Sequence, residues 1–222
     1  MPLEKLRIFG NPNIGVYIFT NNKVTLVPEG TQPQVKKALS DTLSTEVLEA
    51  VVADSRLLGI FIAGNDKAIL LPKTARDKEV DRLKELGLPV KVVFTSFTAL
   101  GNIILTNNRV ALIHPELSDK EVEVVCRELN VEKCVRRSIV NIPTVGSVAV
   151  INDNSGLFHP DVNESELKAL EELLKIRVGT GTVNFGVGFI KTGLIANNFG
   201  AVVGDLTTGP EIMRVMDAFN LR

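Results

Sequence analysis

A fixed course recurs along this chain: a glycine, an apolar stretch, an Asn/Asp pair, a second apolar stretch and a proline. The glycines are Gly15, Gly59, Gly101 and Gly146, and the prolines are Pro28, Pro72, Pro115 and Pro160. Subtracting residue numbers puts successive glycines 44, 42 and 45 apart; Gly193 opens a fifth copy 47 further on, with Leu206 in the proline's place. A period of that size restricts the chain to closed or stacked repeat architectures, because no single unit buries its apolar face alone.

Within each copy the pairs are Asn21-Asn22, Asn65-Asp66, Asn107-Asn108, Asn152-Asp153 and Asn197-Asn198. Asn and Asp tolerate left-handed backbone, so each copy is expected to open with a β-hairpin turning at the pair. Flanking runs such as 16–20 with 24–27, and 103–106 with 110–113, suit its two strands. A helix then follows the proline. Ser118 to Glu121 reads as a capping box, with Val122, Val125, Cys126 and Leu129 at helical spacing. The same stripe recurs at Ile212, Val215, Met216 and Phe219, with Pro210 at the first helical position, and Val80, Leu83 and Leu86 form a narrower face closed by Gly87. Third strands are expected over 47–53, 90–95, 133–136 and 176–179.

The fifth copy stops before its third strand. Pro-to-Gly intervals of 31, 29, 31 and 33 residues are matched by adding the 16 from Leu206 to Arg222 and the 15 from re-entry at Met1 to Gly15, again 31. The segment 6–9 is therefore expected to supply the missing strand and close the chain into a five-bladed α/β ring, a single domain over 1–222. Its strand-strand-helix-strand repeats run 15–58, 59–100, 101–145, 146–192 and 193–222, closed by a strand in 1–14. Such closure would remove exposed sheet edges.

Composition narrows the function classes. Twenty-five basic and 26 acidic residues leave a net charge of −1, unlike proteins that live on nucleic-acid phosphates. The short basic cluster Lys133, Arg136 and Arg137 reads as a solvated strand end. Neither a leader nor a membrane-spanning apolar run is evident. Cys126, on the helix stripe, and Cys134, in the following strand, read as two reduced core thiols in a cytoplasmic protein.

A five-bladed ring with strands around a channel resembles the pentein architecture, whose enzymes modify guanidino compounds with a channel cysteine, a histidine and acidic residues. That resemblance implies a nucleophile in the last repeat, where this chain has no cysteine. His114 and His159 both precede a repeat proline, which suits a structural role. The glycine-rich run 178–188 leads toward a hairpin rather than into a long helix, so it reads as an inter-blade bend rather than a phosphate loop. No enzyme activity, cofactor or metal site is expected.

The full length resembles the translation initiation factor 6 family. The likeness rests on Leu39-Ser40-Asp41-Thr42, Ala99-Leu100-Gly101-Asn102, the run 110–115 ending His114-Pro115, Gly156-Leu157-Phe158-His159-Pro160 and Gly181-Thr182-Val183-Asn184. Ending at Arg222, without the tail of eukaryotic members, the chain looks like an archaeal form. The resemblance implies a monomer that docks on the intersubunit face of the large ribosomal subunit. It would contact ribosomal proteins near the sarcin-ricin loop, with little direct nucleic-acid binding, and sterically prevent small-subunit joining. It further implies a part in large-subunit biogenesis and release by the Shwachman-Bodian-Diamond protein with an elongation-factor-type GTPase. By matching position, Asn102, Val16 and Ile60 are the expected ribosome-interface residues, each directly following a repeat glycine; Ile60 departs from the arginine of eukaryotic members. Two other readings stay open: a guanidino-modifying pentein enzyme, and a scaffold for some other macromolecule.

Overall fold

The computed structural model describes residues 2–221. After β1 (Leu3–Leu6), the first repeat runs α1 (Ile14–Tyr17), β2 (Phe19–Thr20), β3 (Val24–Pro28), α2 (Pro33–Leu43) and β4 (Glu46–Ala50). The second has α3 (Leu58–Phe61), β5 (Ala63–Gly64), β6 (Ile69–Pro72), α4 (Asp77–Glu85) and β7 (Val90–Val93). The third has α5 (Leu100–Ile103), β8 (Ile104–Thr106), β9 (Val110–Ile113), α6 (Asp119–Leu129) and β10 (Lys133–Arg136). The fourth has β11 (Ala149–Ile151), β12 (Ser155–Phe158), α7 (Glu164–Leu174) and β13 (Arg177–Thr180). The fifth has α8 (Ile190–Gly193), β14 (Leu194–Ala196), β15 (Ala201–Gly204) and α9 (Gly209–Ala218).

Each repeat forms one three-stranded sheet: an inner strand antiparallel to the middle one, which runs parallel to the outer one. The fifth sheet is completed by β1, parallel to β15 with Leu3 opposite Ala201. Counting around the ring therefore finds the closing strand, three residues earlier than expected: Leu3–Leu6 rather than 6–9. Closure does not abolish sheet edges. The five sheets stay separate and open, each with an inner and an outer edge strand.

The repeat glycines do not begin strands. Four of them lie in the four-residue helices α1, α3, α5 and α8, and Gly146 lies in a turn at the equivalent place. Thus 16–17 is helical, and the first hairpin strand starts at Phe19. Between the sheets and the outer helices lie the apolar clusters, among them one built on Leu26, Val52, Leu58, Ile62, Ile69 and Leu71 that joins the first two repeats. Capping follows expectation in α6, where Ser118 and Glu121 cap each other's backbone N–H. Val125 and Leu129 are buried, whereas Leu86, at the end of α4, is exposed.

The cysteines correct the sequence reading. Cys126 and Cys134 are joined by a disulfide, with Cα atoms 6.0 Å apart. Both are half-buried rather than core, because the stripe's outer edge, not its centre, carries Cys126. The helix-to-next-strand connection then brings it beside Cys134 on the outer edge strand of the third sheet, within bonding reach.

Candidate functional site

The ring has two faces, set by strand direction. Hairpin turns lie on one, the asparagine face. Repeat glycines, post-proline turns and inter-blade loops lie on the other, the glycine face.

On the asparagine face the Asn/Asp pairs do something other than supply left-handed backbone. None of the ten residues has positive φ. The first of each pair accepts, through its side-chain oxygen, the N–H groups two and three residues on, as when Asn21 takes Lys23 and Val24, both at 2.8 Å. Its amide N–H then donates to the next blade's carbonyl. Asn21 reaches Asn65 (2.9 Å), Asn65 reaches Asn107 (3.1 Å), Asn107 reaches Asn152 (3.3 Å), Asn152 reaches Asn197 (2.8 Å), and Asn197 returns to Asn21 (3.0 Å). A second circuit links the other members: the N–H of Asn22 donates to Asp66, that of Asp66 to Asn108, and so on through Asp153 and Asn198 back to Asn22, at 2.8–3.0 Å. At the axis the amides of Asn22, Asn108 and Asn198 converge on the Asp153 carboxylate. Burial works to raise the Asp153 carboxyl, but the Asn108 N–H and these three amides outweigh it and hold it below the usual range.

The glycine face closes differently. A Cβ on Gly59 would run into the carbonyl of Gly15, and one on Gly101 into that of Gly59; Gly146 stands likewise against Gly101, and Gly15 against Lys191. These four glycines thus exist for close backbone approach around the axis, whereas Gly193 stands against the Asn184 side chain. Between collar and asparagine plug lies a chamber of about 90 Å³, lined by equivalent triplets of all five repeats: 18–20, 62–64, 104–106, 149–151 and 194–196. Lys191 lines it too, its Nζ donating to the Gly101 carbonyl at 2.7 Å. The residue as a whole is half-buried, but its amine end is enclosed, and that desolvation lowers its pKa to about 7. Sequence reasoning passed over Lys191. A signal was available: six residues before the first asparagine of each pair stand Gly15, Gly59, Gly101 and Gly146, and in the fifth repeat Lys191, which takes the place of the collar glycine two residues before Gly193.

Val16, Ile60 and Asn102 lie on this face, on α1, α3 and α5, and all three are half-buried. The neighbouring helices bring them round one collar, with Ser147 in the fourth position. Among the described residues the Asn102 side chain has no hydrogen-bond partner, while its carbonyl accepts from Gly146 at 2.8 Å. Exposed apolar side chains also collect here, in loops and turns at strand ends: Phe9, Leu57, Phe94, Phe185, Phe189 and Leu206, with Phe94 and Phe185 at 76% and 81% exposure.

Left-handed backbone, expected in the hairpins, instead occurs in inter-blade loops, at Phe9, Ala53-Asp54, Val140-Asn141 and Asn184-Phe185. A glutamate from the first turn of the following blade's long helix, α4 or α9, holds such loops. Glu79 accepts from Ala53 and Asp54 at 2.8 and 2.9 Å, and Glu211 accepts from Gly186 at 2.7 Å and Phe185 at 3.2 Å. Burial pushes Glu211 up, but N–H groups of Thr208 and Gly186 and hydroxyls of Thr182 and Thr208 bring it down to about 2. Glu121 also lies at about 2, through the Ser118 hydroxyl against the effect of burial, aided by the Ser118 and Ser96 N–H groups. The run 178–188 begins in β13 and continues from 181 as such a loop, closed by pairing of Val183 with Val187. His114 and His159 act structurally: each Nδ1 accepts, at 3.2 Å, the N–H two residues on in the post-proline turn. Arg136 and Arg137 pair with Asp119 (2.7 Å) and Glu166 (3.5 Å). Among the described residues no group of three His, Cys, Asp or Glu is placed to hold a metal ion, and no helix is long and apolar enough to cross a membrane.

Five sheet-and-helix repeats about a plugged axis define the pentein class of α/β rings. Solved structures of the N-terminal domain of ArgZ, a cyanobacterial arginine dihydrolase, share the fold. The substrate-bound form aligns with TM-score 0.52 over 89% of this chain and 74% of that one, at 14% identity. Within that class, the eIF-6 family model matches residues 3–218. Translation initiation factor 6 of Saccharolobus islandicus (strain L.S.2.15) is 50% identical over 220 residues, 98% of this chain and 99% of its own. The factor of the same name from Sulfolobus acidocaldarius is 46% identical over 222 residues, covering 99% and 100%. The chain belongs to the eIF-6 family.

Proposed function

We propose that this protein is a translation initiation factor that docks its glycine face on the intersubunit surface of the large ribosomal subunit and so keeps the small subunit from joining. The observation that carries this is the unequal distribution of apolar surface. Six large side chains are exposed on the face that bears Val16, Ile60 and Asn102, and such concentrations mark interaction surfaces. Blocking is steric: a patch of about 800 Å² per partner suffices for a specific interface, and the rest of the ring stands in the path of the other subunit. Ribosomal protein near the sarcin-ricin loop is the expected contact, with little direct grip on rRNA, since Arg136 and Arg137 are engaged by the chain's own carboxylates.

On this reading the monomer works in the cytoplasm, takes part in large-subunit biogenesis, and is released by the Shwachman-Bodian-Diamond protein with an elongation-factor-type GTPase. The compartment follows from the ribosomal partner; the cysteines, being paired, give no separate argument for it. An enzyme acting on guanidino compounds is disfavoured by Lys191, which presents an amine where such a cation would enter, and by the tying of both sulfurs at an outer edge.

Co-sedimentation with separated subunits tests the proposal. Stoichiometric binding to large subunits alone, with joining suppressed, is expected; equal binding to both subunits, or none, would discard it. Asn102→Arg should weaken large-subunit binding at least about tenfold, some 1.4 kcal/mol, in a ring that folds normally. Unchanged affinity would move the interface off this collar.

A further inference from the structure

The axial chamber has an arrangement that the docking role leaves unused. Its walls are mostly apolar inner-strand surface from all five sheets, and its asparagine end is sealed by the plug. Toward the glycine end stands a single amine. A lysine ammonium carries three donors, and among the described residues Lys191 Nζ has one partner, the Gly101 carbonyl. The ammonium form of Lys191 therefore has two donors left for a space with room for a few non-hydrogen atoms. Desolvation without compensating acceptors is costly, and a ligand that brings both oxygen acceptors and negative charge removes that cost.

We propose that the chamber is a binding site for a short-chain monocarboxylate. Its carboxylate sits on the Lys191 Nζ and its one- or two-carbon tail in the apolar space below the collar. Size sets the limit: about 90 Å³ admits acetate or propionate and excludes amino acids with long side chains. Charge sets the sense. A guanidinium or ammonium compound meets the Lys191 amine head-on and is rejected, so the chamber's preference is opposite to that of a site for arginine. Nothing in this assignment depends on what the glycine face docks on, because the chamber lies behind the collar.

Titration calorimetry and thermal unfolding with sodium propionate, acetate, chloride and bicarbonate, and with methylguanidinium chloride as the cation control, test it. One propionate per chain is expected, with a rise of about 3 °C in Tm at tenfold excess over Kd. Methylguanidinium should have no effect. Lys191→Met, which keeps an unbranched side chain one atom shorter and removes its donors, should lose the binding. A carbon-13 spectrum of the Lys191 ε-methylene in the unmodified protein provides a readout that does not depend on the variant folding, and propionate should shift it. Overturning results are equal binding by Lys191→Met, an ε-methylene unmoved at saturating propionate, or a response to chloride as strong as that to the carboxylates. A chamber holding water only, with no ligand bound at tens of millimolar, would also sink the assignment.

Discussion

On the asparagine face ten side chains close two hydrogen-bonded circuits, whereas on the glycine face Gly15, Gly59, Gly101 and Gly146 each meet a neighbouring repeat backbone against backbone, with the Lys191 amine reaching the Gly101 carbonyl. The first face is satisfied within the chain: its polar atoms are donors and acceptors to one another, and little is left over for a partner. The second gains closeness by deleting side chains at the collar, which leaves the surrounding residues half-exposed and the loops rich in phenylalanine. One face locks the ring and the other leaves apolar side chains exposed, although both are built from the same repeat.

Substitutions can break that contrast. Gly59→Ala should have the largest effect, because the new methyl meets the Gly15 carbonyl, which is backbone and cannot rotate aside. A loss of about 3 kcal/mol or more is expected in urea unfolding, or failure to fold. Tolerance of alanine there would mean that the collar is not closely packed. Asn65→Ala is next, at about 2–3 kcal/mol, since it strands the N–H groups of Lys67 and Ala68 and the carbonyls of Asn107 and Leu129.

Lys191 sharpens the comparison through pH. Its folded value of about 7 lies below the ordinary 10.5, so between these values the unfolded chain binds more protons and stability rises with pH. Relative to Lys191→Met, the unmodified protein should gain about 1–2 kcal/mol between roughly pH 7 and pH 9, read from urea midpoints. An equal slope in both proteins would place the amine in water. Glu211→Gln should cost the least, about 1 kcal/mol, by weakening the hold on Phe185 and Gly186. Because the folded value is depressed to about 2, the carboxylate's contribution is present above the ordinary 4.5 and lost as pH falls toward 2. The glutamine variant should lack that acid-side loss.

Much of the ring was legible in the period alone, including the partner of its last sheet, because the arithmetic of repeat lengths left one gap of the right size. The four-residue helices were not. Ile14 to Tyr17 and Leu58 to Phe61 are short apolar runs, and four residues cannot distinguish a period of 3.6 from one of 2. The paired asparagines were found, but their work was assigned to local backbone; their actual partners lie 42 to 45 residues away, or 176 across the seam. Of the site, Val16, Ile60 and Asn102 were placed by resemblance and share one collar. The exposed phenylalanines were invisible because a sequence does not say which of ten turns from an apolar core. Lys191 was visible only by comparing one slot across all the repeats.

The pairing of Leu3–Leu6 with Ala201–Gly204 has a consequence for the order of events in synthesis. β1 is synthesised before the other strands of the ring yet is among the last to find its neighbour, and it waits while four sheets form behind it. Long-separation pairing of this kind slows folding. It also leaves the vacant edge of β15 open, late in synthesis, to the first strand of another nascent copy, and two rings that traded these strands would be joined as a swapped dimer.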